Sequence, residues 1–228
     1  MRNYELPGNE LLFNEMLSWM ELPRLLASVP GFMTLPRGNG QQVTVLPGFG
    51  AGDLSTLPLR QFLSGLGYQA GGWSQGTNTG DVLQLISAVR EKLERQGDRD
   101  GEPRHLVGWS LGGYIAREVA REIPDYVSSV ITLGSPVVGG PKYTRVAELF
   151  ELRGESVDEI ERLVDERYRV PLKVPVTAIY SRRDGVVAWQ ACIDQVSPQV
   201  EHVEVDASHI GLGISAEVFT IIARRLAA

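Results

Sequence analysis

The sequence predicts an α/β fold: a mainly parallel sheet of about six strands with helices on both faces. Three observations carry that prediction. Short apolar runs that end at Gly or Pro alternate with longer segments of helical period, a glycine-rich loop follows the first such run, and residues 141–171 interrupt the alternation with helical patterns alone. Strands alternating with helices must be joined by crossovers, and crossovers cover both faces of a parallel sheet. A length of 228 residues suits one large domain or one domain carrying an insertion.

Composition narrows the class further. Apolar residues at 43% and charged residues at 22% are ordinary globular usage, which excludes collagen-like, coiled-coil and disordered chains. A net charge of -6 without any basic stripe argues against a nucleic-acid partner, because phosphate binding needs clustered Lys and Arg. Cys192 is the single cysteine, so an internal disulfide or a thiolate-rich metal site is excluded, and no metal is expected. Near the N-terminus Glu5, Glu10, Glu15 and Glu21 interrupt every apolar run before it reaches signal-peptide or membrane-span length. The expectation is a cytoplasmic protein without a transmembrane segment.

Residues 1–42 read as a helical arm. Leu12, Met16, Trp19, Met20 and Leu26 recur at helical spacing, with Pro23 expected to break or restart the helix. Such an arm packs on the body, or offers a dimer contact or a surface that rests on lipid. Pro30, Gly31, Pro36, Gly38 and Gly40 then read as a loop, and the body is expected over residues 43–228.

Val43 to Leu46, stopped by Pro47 and Gly48, has the pattern of a buried strand entering a loop. Further strands are expected near residues 68–70, 105–108, 127–133, 174–180 and 200–205, with helices near 57–66, 81–96, 111–122, 188–195 and 215–226. Within residues 141–171, Ser156 and Glu159 form a capping box, and Val157, Ile160, Leu163 and Val164 line one face of a helix. The opposite face is charged and reads as solvated. This segment is expected to roof a site as a helical cap.

The sharpest local signal is His105-Leu-Val-Gly-Trp-Ser-Leu-Gly-Gly113. A bare G-x-S-x-G is a weak match in a chain with 25 glycines, but here a strand runs into it and a helix leaves it. A nucleophile on so sharp a turn sits in strained backbone and needs small neighbours, which Gly108 and Gly112 supply. The following helix aims its N-terminal N–H groups at Ser110.

A serine nucleophile needs a base. His105 precedes Ser110 on the same strand, and His202 lies inside the last expected strand, so both read as structural. His209 follows that strand in a small-residue loop at the carboxyl edge of the sheet and is the expected base. Its imidazole needs a carboxylate to fix the tautomer. Asp184, in the loop leaving the preceding strand, is the expected acid, although an Asp184-Gly185 pair also starts turns. Asp206 is the alternative, while Asp53 and Asp125 have weaker claims. An oxyanion hole then needs two backbone donors, expected from Leu111 and from Phe49 in Leu46-Pro-Gly-Phe-Gly-Ala-Gly-Asp53. That loop lacks the Lys and the spacing of a phosphate-binding loop.

With LPGFGAGD, GWSLGG, SRRDGVV and SHIGLG in this order, the chain from about Val43 resembles an α/β-hydrolase, close to bacterial esterases and lipases. The resemblance implies acyl transfer through an acyl-enzyme, with Ser110, Asp184 and His209 as triad and no cofactor. It also implies that residues 141–171 hold the cap position. The two antiparallel strands that open larger members are missing before Val43, so a reduced sheet is expected. Trp73-Ser-Gln-Gly-Thr-Asn-Thr-Gly80 resembles a stretch in some such esterases, and from its residues alone it shapes a loop before a helix.

The expected activity is therefore carboxylic-ester hydrolysis on lipid-like or short to medium acyl esters. Phe49, Trp109, Leu149, Phe150, Val187 and Ile210 are the candidate substrate contacts. A thioesterase or acyltransferase would use the same triad, and a non-catalytic relative of the fold is the reading from another class.

Overall fold

The computed structural model describes residues 4–228. Its strands are β1 (Gln42–Leu46), β2 (Gln69–Gly72), β3 (Arg104–Trp109), β4 (Val127–Leu133), β5 (Val176–Tyr180) and β6 (Val200–Glu204), forming one sheet in the order β2-β1-β3-β4-β5-β6. Every neighbouring pair is parallel. Helices α1 (Asn9–Met16) and α2 (Glu21–Phe32) precede the sheet. Helices α3 (Leu57–Gly65), α4 (Val82–Asp100) and α5 (Leu111–Glu122) follow the first three strands in turn, and α6 (Ala147–Leu152) with α7 (Val157–Tyr168) form the insertion. A short α8 (His209–Leu212) and α9 (Ala216–Leu226) close the chain.

The alternation of side chains along each strand divides the core in two. Val43, Val45, Val107, Ile131, Leu133 and Ile179 point to the face covered by α2, α3 and α9, while Leu46, Leu106, Val130 and Val176 meet α4 and α5. Each fully buried aliphatic side chain contributes about 1.5–3 kcal/mol to holding the sheet between these layers, and the parallel pairing puts the carboxyl ends of all strands at one edge. Ligand-binding loops gather at that edge in such sheets.

The arm departs from its expected form. Its break falls at Leu17 to Met20, a tight turn before the proline, and Pro23 sits in the first turn of α2, where a missing N–H costs nothing. Pro30 and Gly31, expected in a loop, belong to the last turn of α2. The arm packs on the body: Leu25 is buried in the core with α9, Phe32 meets Phe62 at 4.6 Å, and Tyr4 meets Tyr143 at 4.9 Å. Phe13, Met16, Trp19, Leu26 and Met33 remain exposed on its outer face.

The helix expected over residues 188–195 reduces to a single 3-10 turn, Trp189–Cys192. Partners outside the segment take the groups a helix would pair: the Ala191 carbonyl accepts from Val137 and Val138, and the Gln195 N–H donates to the Tyr168 hydroxyl at 2.7 Å. Asp194 instead forms a buried ion pair with Arg117 of α5 and accepts the N–H groups of Val196 and Ser197. Burial opposes its ionisation, yet the Arg117 charge and these hydrogen bonds hold its carboxyl at about 2.

Helices α6 and α7 lie over the carboxyl edge. Ser156 caps α7 by accepting the Glu159 N–H at 3.3 Å, and Val157 and Val164 are buried. The charged face, expected to be solvated, is partly committed to the body: Arg167 pairs with Glu118 and Glu122 of α5. Asp194→Ala should cost about 3–5 kcal/mol in urea unfolding, because it strands the Arg117 charge in the core.

Candidate active site

Ser110 occupies the turn between β3 and α5 with φ 55° and ψ -124°, a region L-residues rarely adopt. Holding it there costs about 1–3 kcal/mol, which the surroundings must over-determine. They do so by close packing and hydrogen bonding. The Ser110 N–H donates to the Leu133 carbonyl at 2.8 Å, and a Cβ on Gly108 or Gly112 would collide with backbone, at Gly113 and at Leu46 and Pro47 respectively. The glycines at these two positions are therefore a steric consequence of the turn.

Asp184 leaves β5 and His209 opens α8 after β6, the adjacent strand. His209 Nδ1 lies 2.6 Å from Asp184 Oδ2, while Asp184 Oδ1 accepts the N–H groups of Val186 and Val187 at 2.8 and 2.7 Å. An Nδ1–H given to the carboxylate leaves Nε2 of the neutral ring as the basic nitrogen. Burial lowers the imidazole pKa, but the Asp184 charge and hydrogen bond, with Glu15 adding to them, outweigh burial and raise it overall. Asp206, the alternative acid, is exposed and paired with Arg183 at 3.0 Å. His105 bonds Ser129 at 2.8 Å, and His202 Nε2 accepts the Asp194 N–H at 3.0 Å, both away from this cluster.

The loop after β1 carries Phe49, the candidate for a second backbone donor. Gly50 donates to the Asn78 carbonyl and Ala51 to the Gly48 carbonyl, and among the described residues the Phe49 N–H has no acceptor within the chain. Gly48 lies against Ser110, where a Cβ would come within 3.3 Å of the serine Cβ. The Trp73 to Gly80 stretch acquires a definite task here. Asn78, fully buried, donates through Nδ2 to the Pro47 carbonyl at 3.0 Å and through its own N–H to Ala51 O at 2.8 Å. It therefore braces the loop that carries Phe49.

Ser110, His209, Phe49 and Leu111 all border one cavity of about 640 Å³ beneath the cap. Residues 15–219 match the model of the alpha/beta hydrolase family. The chain belongs to that family. This alpha/beta hydrolase is similar in structure to Bacillus licheniformis lipase BlEst2, with TM-score 0.65 and 15% identity over 85% of this chain and 94% of that one. A Paleococcus ferrophilus monoacylglycerol lipase gives TM-score 0.59 and 16% identity over 86% of this chain and 97% of that one. The thioesterase domain from the curacin biosynthetic pathway gives 0.56 and 13% over 85% and 93%. No curated protein matches the sequence. The family match reaches back to residue 15, inside the arm that the sequence reading set apart from the body.

Of the candidate substrate contacts, Phe49, Trp109, Phe150, Val187 and Ile210 line the cavity of this hydrolase. Leu149 does not: it is half exposed on α6, one residue and therefore about 100° around the helix from the buried Phe150. Trp109 also braces His209, its indole N–H donating to the His209 carbonyl at 3.1 Å.

Two further contributors lie outside the sequence motifs. Gly134, with φ +54°, follows β4, and a Cβ there would lie 2.9 Å from Asp184 Oδ2 and 3.1 Å from His209 Nδ1. A glycine closing a strand at the carboxyl edge was the available signal. Val82, Leu83 and Ile86 of α4 form an unanticipated apolar wall, visible only as a helical apolar stripe. Gly134→Ala should lower kcat by prising apart the Asp184 and His209 side chains, with little change in KM. Asp184→Asn should lower kcat by up to about 10⁴ and move the acid limb of the pH–rate profile downward, whereas Asp206→Asn should leave both unchanged. The wild-type limb should fall above the ordinary histidine value of about 6.5, since a raised imidazole pKa keeps the base protonated to higher pH.

Proposed function

We propose that the protein is a serine hydrolase of carboxylic esters with Ser110 as nucleophile, His209 as general base and Asp184 as its orienting acid. One observation carries the reading: a serine on strained backbone shares a cavity with a histidine whose other nitrogen is bonded to a buried carboxylate. Ser110 Oγ attacks the acyl carbonyl while His209 Nε2 takes its proton. The Leu111 and Phe49 N–H groups donate to the developing oxyanion, and the start of α5 adds its dipole. His209 then returns the proton to the leaving alcohol, and water, activated by the same nitrogen, releases the acid.

The walls favour an acyl chain over a peptide. Phe49 and Phe150 meet at 5.4 Å, and Val82, Ile86, Val146 and Val164 add apolar surface, while of the ionic groups Arg167, Arg153 and Glu155 are engaged in pairs and Asp81 is exposed to solvent. A volume of about 640 Å³ suits short to medium chains. The lipase names of two structural neighbours agree with this substrate class.

A fluorophosphonate should label Ser110 in the folded protein, and Ser110→Ala should abolish both labelling and p-nitrophenyl ester turnover without lowering the melting temperature. Turnover that survives Ser110→Ala would sink the proposal. A series of oxygen esters and matching thioesters of increasing chain length fixes the leaving-group class, with a thioester preference redirecting the reading toward the thioesterase alternative.

A further inference from the structure

Glu15 stands apart from every other acidic residue of the arm. It is buried, at 6% exposure, on an otherwise solvent-washed helix whose neighbours Phe13 and Met16 are exposed at 61% and 71%. Its carboxylate reaches into the body and accepts three backbone N–H groups: Gly185 at 2.9 Å and His209 at 2.7 Å on Oε1, and Ile210 at 2.8 Å on Oε2. Gly185 directly follows Asp184, so one side chain ties the acid loop to the base loop although nearly two hundred residues separate it from the histidine in sequence.

A second observation shows that the acid loop is shaped to receive the arm. A Cβ on Gly185 would lie 2.5 Å from the Leu11 carbonyl oxygen and 3.0 Å from the Leu12 nitrogen, so the backbone of α1 rests directly on this glycine. Arg145, just before α6, anchors the same end of the arm by donating to the Pro7 carbonyl and to Asn9 Oδ1. The His209 backbone is thereby held from both ends, its N–H by Glu15 and its carbonyl by Trp109.

We propose that Glu15 is a positioning residue of the active site, a carboxylate delivered by the N-terminal arm that clamps the Asp184 and His209 loops in the register their hydrogen bond requires. The inference rests on the hydrolase reading for its kinetic consequence, but not for the clamp itself. A carboxylate so placed also acts on the base through its charge. Among the described residues the other ionic groups around His209 are few: Asp184 faces it from the acid loop, Glu21 at the start of α2 lies against Gly211 and is paired with Arg24, and Arg183 and Asp206 pair with each other at the surface. Removing the Glu15 charge leaves the imidazolium the support of Asp184 alone among the anions that raise its pKa, so the base titrates lower.

The test compares wild type with Glu15→Gln, which keeps the shape and removes the charge, and Glu15→Asp, which keeps the charge and shortens the reach. Three readouts are taken: kcat and KM for a p-nitrophenyl ester across the acid limb, the NMR titration of the His209 imidazole, and the backbone amide signals of Gly185, His209 and Ile210. Glu15→Gln should lower kcat by about tenfold to a hundredfold with KM nearly unchanged, and should move both the acid limb and the His209 titration to lower pH. Glu15→Asp should lower kcat while leaving the titration near its wild-type position. All three amides should shift in both variants.

Unchanged kcat and an unmoved His209 titration in folded Glu15→Gln would overturn the proposal. So would a loss of kcat that merely follows a lower melting temperature while the titration stays put. If Glu15→Gln does not fold, Glu15→Asp decides by kcat and the three amides, and wild-type values there refute the clamp. If wild type neither turns over esters nor reacts with fluorophosphonate at Ser110, the hydrolase reading fails, while the NMR titration and the amide shifts still judge Glu15.

Discussion

The hydrogen bond between Asp184 and His209 governs the arrangement of everything around it. It joins side chains from loops that leave neighbouring parallel strands, β5 and β6, and it can form only if both loops turn at the same height above the sheet. A charge-assisted bond of 2.6 Å in a buried setting tolerates little displacement. The molecule meets that demand by fixing backbone. Val186 and Val187 hold the carboxylate, Trp109 holds the histidine carbonyl, Glu15 holds both loops, and Gly134 leaves the space beneath that any side chain would fill.

The same logic of close approach explains the concentration of glycine at the carboxyl edge. Three loops converge on the cavity that Ser110 borders, and a Cβ at Gly48, Gly108, Gly112 or Gly134 would press on or collide with a neighbour. What glycine gives in space it takes in rigidity, since its backbone has the most freedom to lose. Rigidity is restored by buried polar side chains acting on backbone, Asn78 on the loop of Phe49 and Glu15 on the loops of Asp184 and His209.

The insertion is joined to this edge on two sides. An antiparallel bridge between Thr144 and Val187, with Arg145 N–H donating to Val186 O and Ala188 N–H to Tyr143 O, links it to the acid loop. Arg167 links its second helix to α5, the helix that begins beside Ser110. The cavity roof is thus coupled to the two elements that present Asp184 and Ser110, and Phe150 closes over Phe49 between them.

The strand-and-helix alternation, the G-W-S-L-G turn, the position of His209 at the carboxyl edge and the glycine loop after β1 were all legible in the sequence. Each is a local pattern, because a parallel strand, a strained turn and a loop at a strand end are specified by residues adjacent in the chain. The 3-10 turn in place of a helix at residues 189–192, the exclusion of Leu149 from the cavity and the bracing by Asn78 were decided by tertiary contacts. Glu15 marks the limit most clearly. In sequence it is one of several glutamates interrupting apolar runs, and its spacing on the helix distinguishes it from none of them. Only the docking of α1 across Gly185 turns that one carboxylate inward, because a side chain's partners depend on which surface its helix meets, and that surface is made by residues far along the chain.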